Sequence, residues 1–137
     1  MRSALVLALA LTFVAAGCGG GSNPSEVVRA WEKAVKAGDN EQAASLFASD
    51  AVVIQGNLSR TFHTHQQAVD WNARLPCAGT IVALARRGSA VTATFGLGDR
   101  KNNRCSDPPG AEATAVFVVE GGKIILWVQT ESQIVIH

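Results

Sequence analysis

The chain of 137 residues contains no tyrosine, a single methionine and four prolines. Without a phenolic hydroxyl, chemistry that needs a tyrosine O–H as proton donor is closed to it. Charge of one sign is also missing: 12 basic residues stand against 11 acidic ones. A nucleic-acid binder gathers a basic excess on one face, and none is found here, so nucleic acid is excluded as a partner. No acidic tail and no low-complexity block suggests disorder. Cysteine is scarce, at three residues. No apolar run is long enough to cross a bilayer as a helix. The longest, ALVLALALTFVAA at residues 4–16, falls short of the ~20 residues that a hydrocarbon core demands.

What is present begins with that run. Arg2 supplies a positive start, and every residue from 4 to 16 is apolar except Thr12. A buried helix of a soluble domain keeps a polar face, and this segment has none, so it reads as a secretory signal. The following "AAGC" resembles the bacterial lipoprotein cleavage motif, in which small residues precede a cysteine that is lipidated and becomes the first residue. The motif prefers leucine three positions before the cysteine, where Ala15 stands here. The resemblance implies a signal peptide at 1–17 and lipidation of Cys18. Residues 18–22, rich in glycine, then form a flexible tether. The protein is accordingly expected to be exported and lipid-anchored to a bacterial membrane, facing the periplasm or the cell exterior. Once Cys18 carries lipid, Cys77 and Cys105 remain as an even pair in an oxidising compartment. They read as a disulfide. A two-cysteine metal site lacks nearby partner ligands, and free thiols are the other alternative.

From residue 23 onward the patterns are those of one folded domain. Asn23, Pro24 and Glu26 open a helix whose apolar stripe is Val27, Val28, Trp31 and Val35, ended by Gly38. Asp39 and Gln42 start a second helix, expected to carry Ala43, Ala44, Leu46 and Phe47. An apolar strand is expected at 51–55, and Thr64 with Gln67 caps a third helix halted by Pro76. The period then changes to that of strands. The segment 90–97 alternates with Val91, Ala93, Phe95 and Leu97 on one face, and a hairpin turns at Gly121-Gly122. Helices followed by antiparallel strands predict an α+β fold.

"EVVRAWEKAVKAGDNEQAASLFASDAVV" resembles the opening of the SnoaL-like, or nuclear transport factor 2-like, superfamily. The marks are the Ala37-Gly38-Asp39 turn, Leu46-Phe47, and the run from Ala48 to Ala51 entering the first strand. The resemblance covers residues 23–137. It implies a cone-shaped barrel, a strongly curved antiparallel sheet wrapped around the N-terminal helices, and it allows a homodimer through the outer face of the sheet. It does not imply a function, since the superfamily carries many unrelated ones.

Within that superfamily, ketosteroid isomerase chemistry needs a carboxylate base, a tyrosine and a protonated aspartate. The matching positions are Gln55, Trp31 and Thr114, none of which supplies the required group. The resemblance instead suggests that Trp31, Gln55, Thr114, Trp127 and Gln129 line one cavity with aromatic walls and neutral hydrogen-bonding groups. Such a lining suits a small, largely apolar ligand. Two further readings stay open. The tryptophans fill the cone, and the sheet's exposed face serves a protein partner; or His63 or His65, oriented by Asp70, acts as base in an isomerase- or dehydratase-like reaction. The H-x-H spacing without a third ligand does not make a metal site, and its bland explanation is a solvated loop. Asp70 reads equally as an exposed helical acid, and His137 as a frayed end. The polar loop "GLGDRKNNR" lacks the G-K-[ST] ending of a phosphate loop. No cofactor and no metal is implied.

Overall fold

The computed structural model describes residues 23–130 and the backbone of 133–134. The signal, Cys18 and tether expectations, and His137, lie outside the described residues. Three helices and a curved sheet make up the domain, with α1 at Pro24–Lys36, α2 at Asn40–Ser45 and α3 at His65–Ala73. The strands are β1 (Phe47–Gln55), β2 (Leu58–Thr61), β3 (Ala78–Arg87), β4 (Ala90–Gly98), β5 (Ala111–Glu120), β6 (Lys123–Gln129) and β7 (Gln133–Ile134). Their order across the sheet is β2-β1-β6-β5-β4-β3, with the short β7 beside β5. Among the described residues no helix is long and apolar enough to cross a membrane.

Local chemistry explains the helix boundaries. The Asn23 side chain accepts from the Ser25 amide, Pro24 takes the first helical position, and Gly38 leaves the helix at φ +71°. Asp39 caps α2 by accepting from the Gln42 amide at 3.0 Å. Thr64 and Gln67 form a complete reciprocal box at α3, each side chain satisfying a backbone amide of the other.

Three expectations need correction. The second helix stops at Ser45; Leu46 follows as its cap, and Phe47 already belongs to β1. That strand is interrupted by Asp50 at φ +60°, and the pairing register shifts between Phe47 and Val52. Only the part after the irregularity shows an uninterrupted apolar pattern, which is why the sequence placed the strand at 51–55. Second, the strand β2 went unanticipated. It pairs with β1 across the two-residue turn Gly56-Asn57, with Gly56 at φ +56°. Third, the sheet is not wholly antiparallel, because β1 runs parallel to β6. The chain enters through β1 and returns beside it only after the whole β3–β6 meander, so the two meet with the same direction.

The concave face of the sheet wraps α1, which packs against β3, β4 and β5. Its stripe Val27, Val28, Trp31, Ala34 and Val35 is buried. Each such large side chain removed from water contributes roughly 1.5–3 kcal/mol. Two polar ties fix the helix to the edge strand β3. The Glu32 carboxylate accepts from the Ile81 amide, and Lys36 Nζ donates to Thr80 Oγ1 at 2.9 Å.

Behind the helices sits Arg100, buried to 7% exposure. Its guanidinium donates to the carbonyls of Asn72, Ala73 and Leu75, and to Asn40 Oδ1. These carbonyls end α3, so a cation meets the negative end of the helix dipole. Desolvation lowers its pKa from the usual arginine value, but a guanidinium stays charged in proteins. Arg100 therefore anchors the 99–105 loop from one side, and the disulfide between Cys77 and Cys105 anchors it from the other. Closing a loop of 28 residues stabilises the fold by about 3–4 kcal/mol in the chain-entropy account.

Candidate functional site: a cavity at the open end of the cone

Strand alternation decides which side chains face α1. On β5 the buried positions are Ala111, Ala113, Ala115, Phe117 and Val119, three small residues followed by larger ones. Register carries this gradient across the sheet. Val91, Phe117, Trp127 and Val53 form one row of inward side chains, and Ala93, Ala115, Gln129 and Gln55 form the next. The first row is filled by rings: Trp31 meets Phe117 edge-on at 5.3 Å between centroids, and Trp71 meets Trp127 at 4.8 Å. Small residues and amides in the second row leave space.

That space is a cavity of about 170 Å³. Trp31, Phe95 and Trp127 form its aromatic wall, with Ala113 and Ala115 beneath and Leu75, Pro76, Cys77 and Gly79 at the side. Gly79 is there for room, because a Cβ on it would lie 2.6 Å from Phe95 Cβ. Glu32, half-buried, and Asp107, exposed, belong to the same wall. Among the described residues no lysine, arginine or histidine does.

The hydrogen-bonding groups of the cavity are unequal. Trp31 Nε1 is engaged, donating to Asn72 Oδ1 at 2.9 Å, and Asn72 in turn donates to the Ala68 carbonyl. Trp127 Nε1 is buried with no partner among the described residues. A buried donor without an acceptor costs roughly 1–3 kcal/mol, so one left in place asks for an explanation. Gln129 accepts from Gln55 Nε2 at 3.0 Å.

Of the five residues expected in one cavity, Trp31, Trp127 and Gln129 line it. Gln55 lies behind Gln129 and lines a neighbouring cleft with Val53, Trp71 and Arg74. Thr114 is not in the cavity. It sits one position out of phase with Ala113 and Ala115, so the period of two turns it to the opposite face, where its hydroxyl meets that of Thr94 at 3.1 Å.

The histidines are elsewhere. His63, in the loop after β2, has Nδ1 3.2 Å from Asp50 Oδ1, and His65, opening α3, has Nε2 2.7 Å from Glu41 Oε2. All four side chains are largely exposed. Both imidazoles line a small surface cleft beside Phe47 and Phe62, not the cavity. Asp70 is exposed and accepts from Gln66, and no hydrogen bond joins it to either histidine. The Cys77, Cys105 and Asp107 side chains also cluster. Both sulfurs are spent in the disulfide, so no thiolate is left for a metal.

Sequence reasoning missed Asn72, Glu32 and Asp107. An asparagine inside a helix carries no sign that a tryptophan 41 residues away donates to it. Glu32 carried a usable signal, since its position borders the apolar stripe of α1 that Trp31 centres. Asp107 lies in an irregular loop and had none.

No protein-family model matches this sequence, and no curated protein matches it either. Solved structures do resemble it. A ketosteroid isomerase-like protein from Catenulispora acidiphila, solved in complex with trimethylamine, superposes with a TM-score of 0.63 at 23% identity, covering 78% of this chain and 85% of that one. A nuclear transport factor 2-like protein from Cytophaga hutchinsonii gives 0.65 at 10% identity, covering 81% and 90%. This fold is the nuclear transport factor 2-like cone. A candidate ketosteroid isomerase from Kribbella flavida shares the cone as well, at 0.65 and 16% identity over 80% and 79%. Identities this low speak for the fold alone.

Proposed function

We propose that this protein is a membrane-tethered lipoprotein whose cone binds a small ligand without transforming it. The observation that carries the reading is the cavity itself: about 170 Å³, with aromatic and alanine walls. A void of ~150 Å³ holds a molecule the size of benzene. The ligand is therefore small, well below the size of a steroid. The Catenulispora acidiphila neighbour, solved with trimethylamine, supports a small guest in this kind of cone.

A non-catalytic role is favoured by what occupies the ketosteroid isomerase positions. Gln55 is an amide paired to Gln129, and the Trp31 N–H is already held by Asn72. The histidine-base alternative requires an imidazole in the cavity wall, and His63 and His65 line a different cleft. For a partner-binding role, the outer face of the sheet offers Val82, 57% exposed. A homodimer would form there, and light scattering of the purified chain reads it directly.

The reading is tested by native mass spectrometry of the full chain recovered from membranes in a gentle detergent. A discrete small-molecule adduct, absent from Ala115→Leu, is expected. An unliganded mass after exposure to extracts of the source cells overturns it. Tethering is tested separately: Cys18→Ser releases the protein from membranes, and persistent membrane association in that variant refutes the anchor.

A further inference from the structure

The cavity wall is charged in one direction. Glu32 and Asp107 contribute two carboxylates, and among the described residues no lysine, arginine or histidine belongs to the lining. Neither acid makes an ion pair among the described residues. The cation one helical turn beyond Glu32 is Lys36, and its ammonium is committed to Thr80 Oγ1. Arg100, in the loop before Asp107, is turned to the end of α3. An overall chain charge of only +1 thus hides a local site whose formal charge is negative.

Against those carboxylates stand the rings of Trp31, Phe95 and Trp127. Tryptophan is the strongest side-chain partner for a cation over its face, and the attraction grows when water is excluded. A bare ammonium or a metal ion would need several oxygen acceptors in place of its water. Alanine and ring surfaces supply none. An alkylated ammonium has no such need, because its methyl groups pack on Ala113 and Ala115 while its charge faces the rings and the acids.

We infer that the ligand is a small alkylated ammonium ion, the chemistry of the choline head group. This inference rests on the cavity being a ligand site, as argued above. Asp107 and half-buried Glu32 attract the cation at the mouth, and the aromatic wall holds it.

Three probes separate the contributions: choline, tetramethylammonium, and 3,3-dimethylbutan-1-ol, the uncharged isostere of choline. They are titrated into the full oxidised chain in a non-ionic detergent, followed by tryptophan fluorescence and calorimetry. Choline and tetramethylammonium are each expected to bind about 10- to 30-fold more tightly than the alcohol. Asp107→Asn and Glu32→Gln each weaken choline by roughly 3- to 10-fold and leave the alcohol unchanged. Glutamine keeps an oxygen for the Ile81 amide; should that variant nevertheless fail to fold, Asp107→Asn in its exposed loop carries the test. If the alcohol binds as well as choline, the charge inference is overturned while the ligand site stands. If no probe binds but the mass adduct is retained, the inference again fails alone. If neither probe nor adduct is seen, both readings fall.

Discussion

Two neighbouring rows of inward side chains, one residue pair apart on the same strands, do opposite things. The row of Val91, Phe117, Trp127 and Val53 is closed by ring-to-ring contacts, and Phe117 is fully buried. In the row of Ala93, Ala115, Gln129 and Gln55, Ala115 and Gln129 line the cavity, with Gln55 hydrogen-bonded behind Gln129. Nothing in backbone geometry separates the two, since both lie in the same ladders. The difference is side-chain volume. Interiors are packed to crystal-like density, so a run of alanines beside a bulky helix residue leaves either a collapse or a hole. Here α1 is held off by Glu32 and Lys36 on the edge strand and by the aromatic row below, so a hole results.

The comparison can be broken at either row. Phe117→Ala should have the largest effect, a loss of about 3–5 kcal/mol in denaturant unfolding, because it removes a ring with contacts to Trp31, Phe95 and Trp127. Removing the disulfide with Cys77→Ser and Cys105→Ser comes next, at about 3–4 kcal/mol. Since Cys77 is part of the cavity wall, that pair of changes should also weaken ligand retention, which calorimetry on the still-folded fraction would detect. Gly79→Ala pushes a methyl group onto Phe95 and should cost about 1–3 kcal/mol, with a visible change in the near-ultraviolet circular dichroism of the aromatic wall. Ala115→Leu sharpens the contrast most. It should change stability by less than about 1 kcal/mol, because leucine grows into existing space, and yet abolish small-ligand binding. A leucine there that destabilised as strongly as Phe117→Ala would mean the second row is packed after all.

The same contrast shows how far the sequence could be read. The large inward residues announce themselves: Val91 and Phe95 by strand alternation, Trp31 by its helical stripe. The open row is made of alanines and amides, which look alike whether they line a cavity or a surface. Thr114 marks the limit. Its neighbours Ala113 and Ala115 lie one residue to either side, and a one-residue error in register moves a side chain through the sheet. The histidine pair shows another limit, since their carboxylate partners Asp50 and Glu41 come from a strand irregularity and a different helix.

By itself the sequence determined the local events: the caps at Asn23, Asp39 and Thr64, the hairpin at Gly121-Gly122, and the order of helices before strands. These depend on residues within a few positions of each other, whose hydrogen bonds and φ angles are set by their own chemistry. The tertiary structure alone decided that β1 runs parallel to β6, that Arg100 is buried against α3, and that Glu32 and Asp107 share a wall with three aromatic rings. Those are meetings between residues tens of positions apart. They follow from how a curved sheet closes around a helix, which no short stretch of the chain encodes.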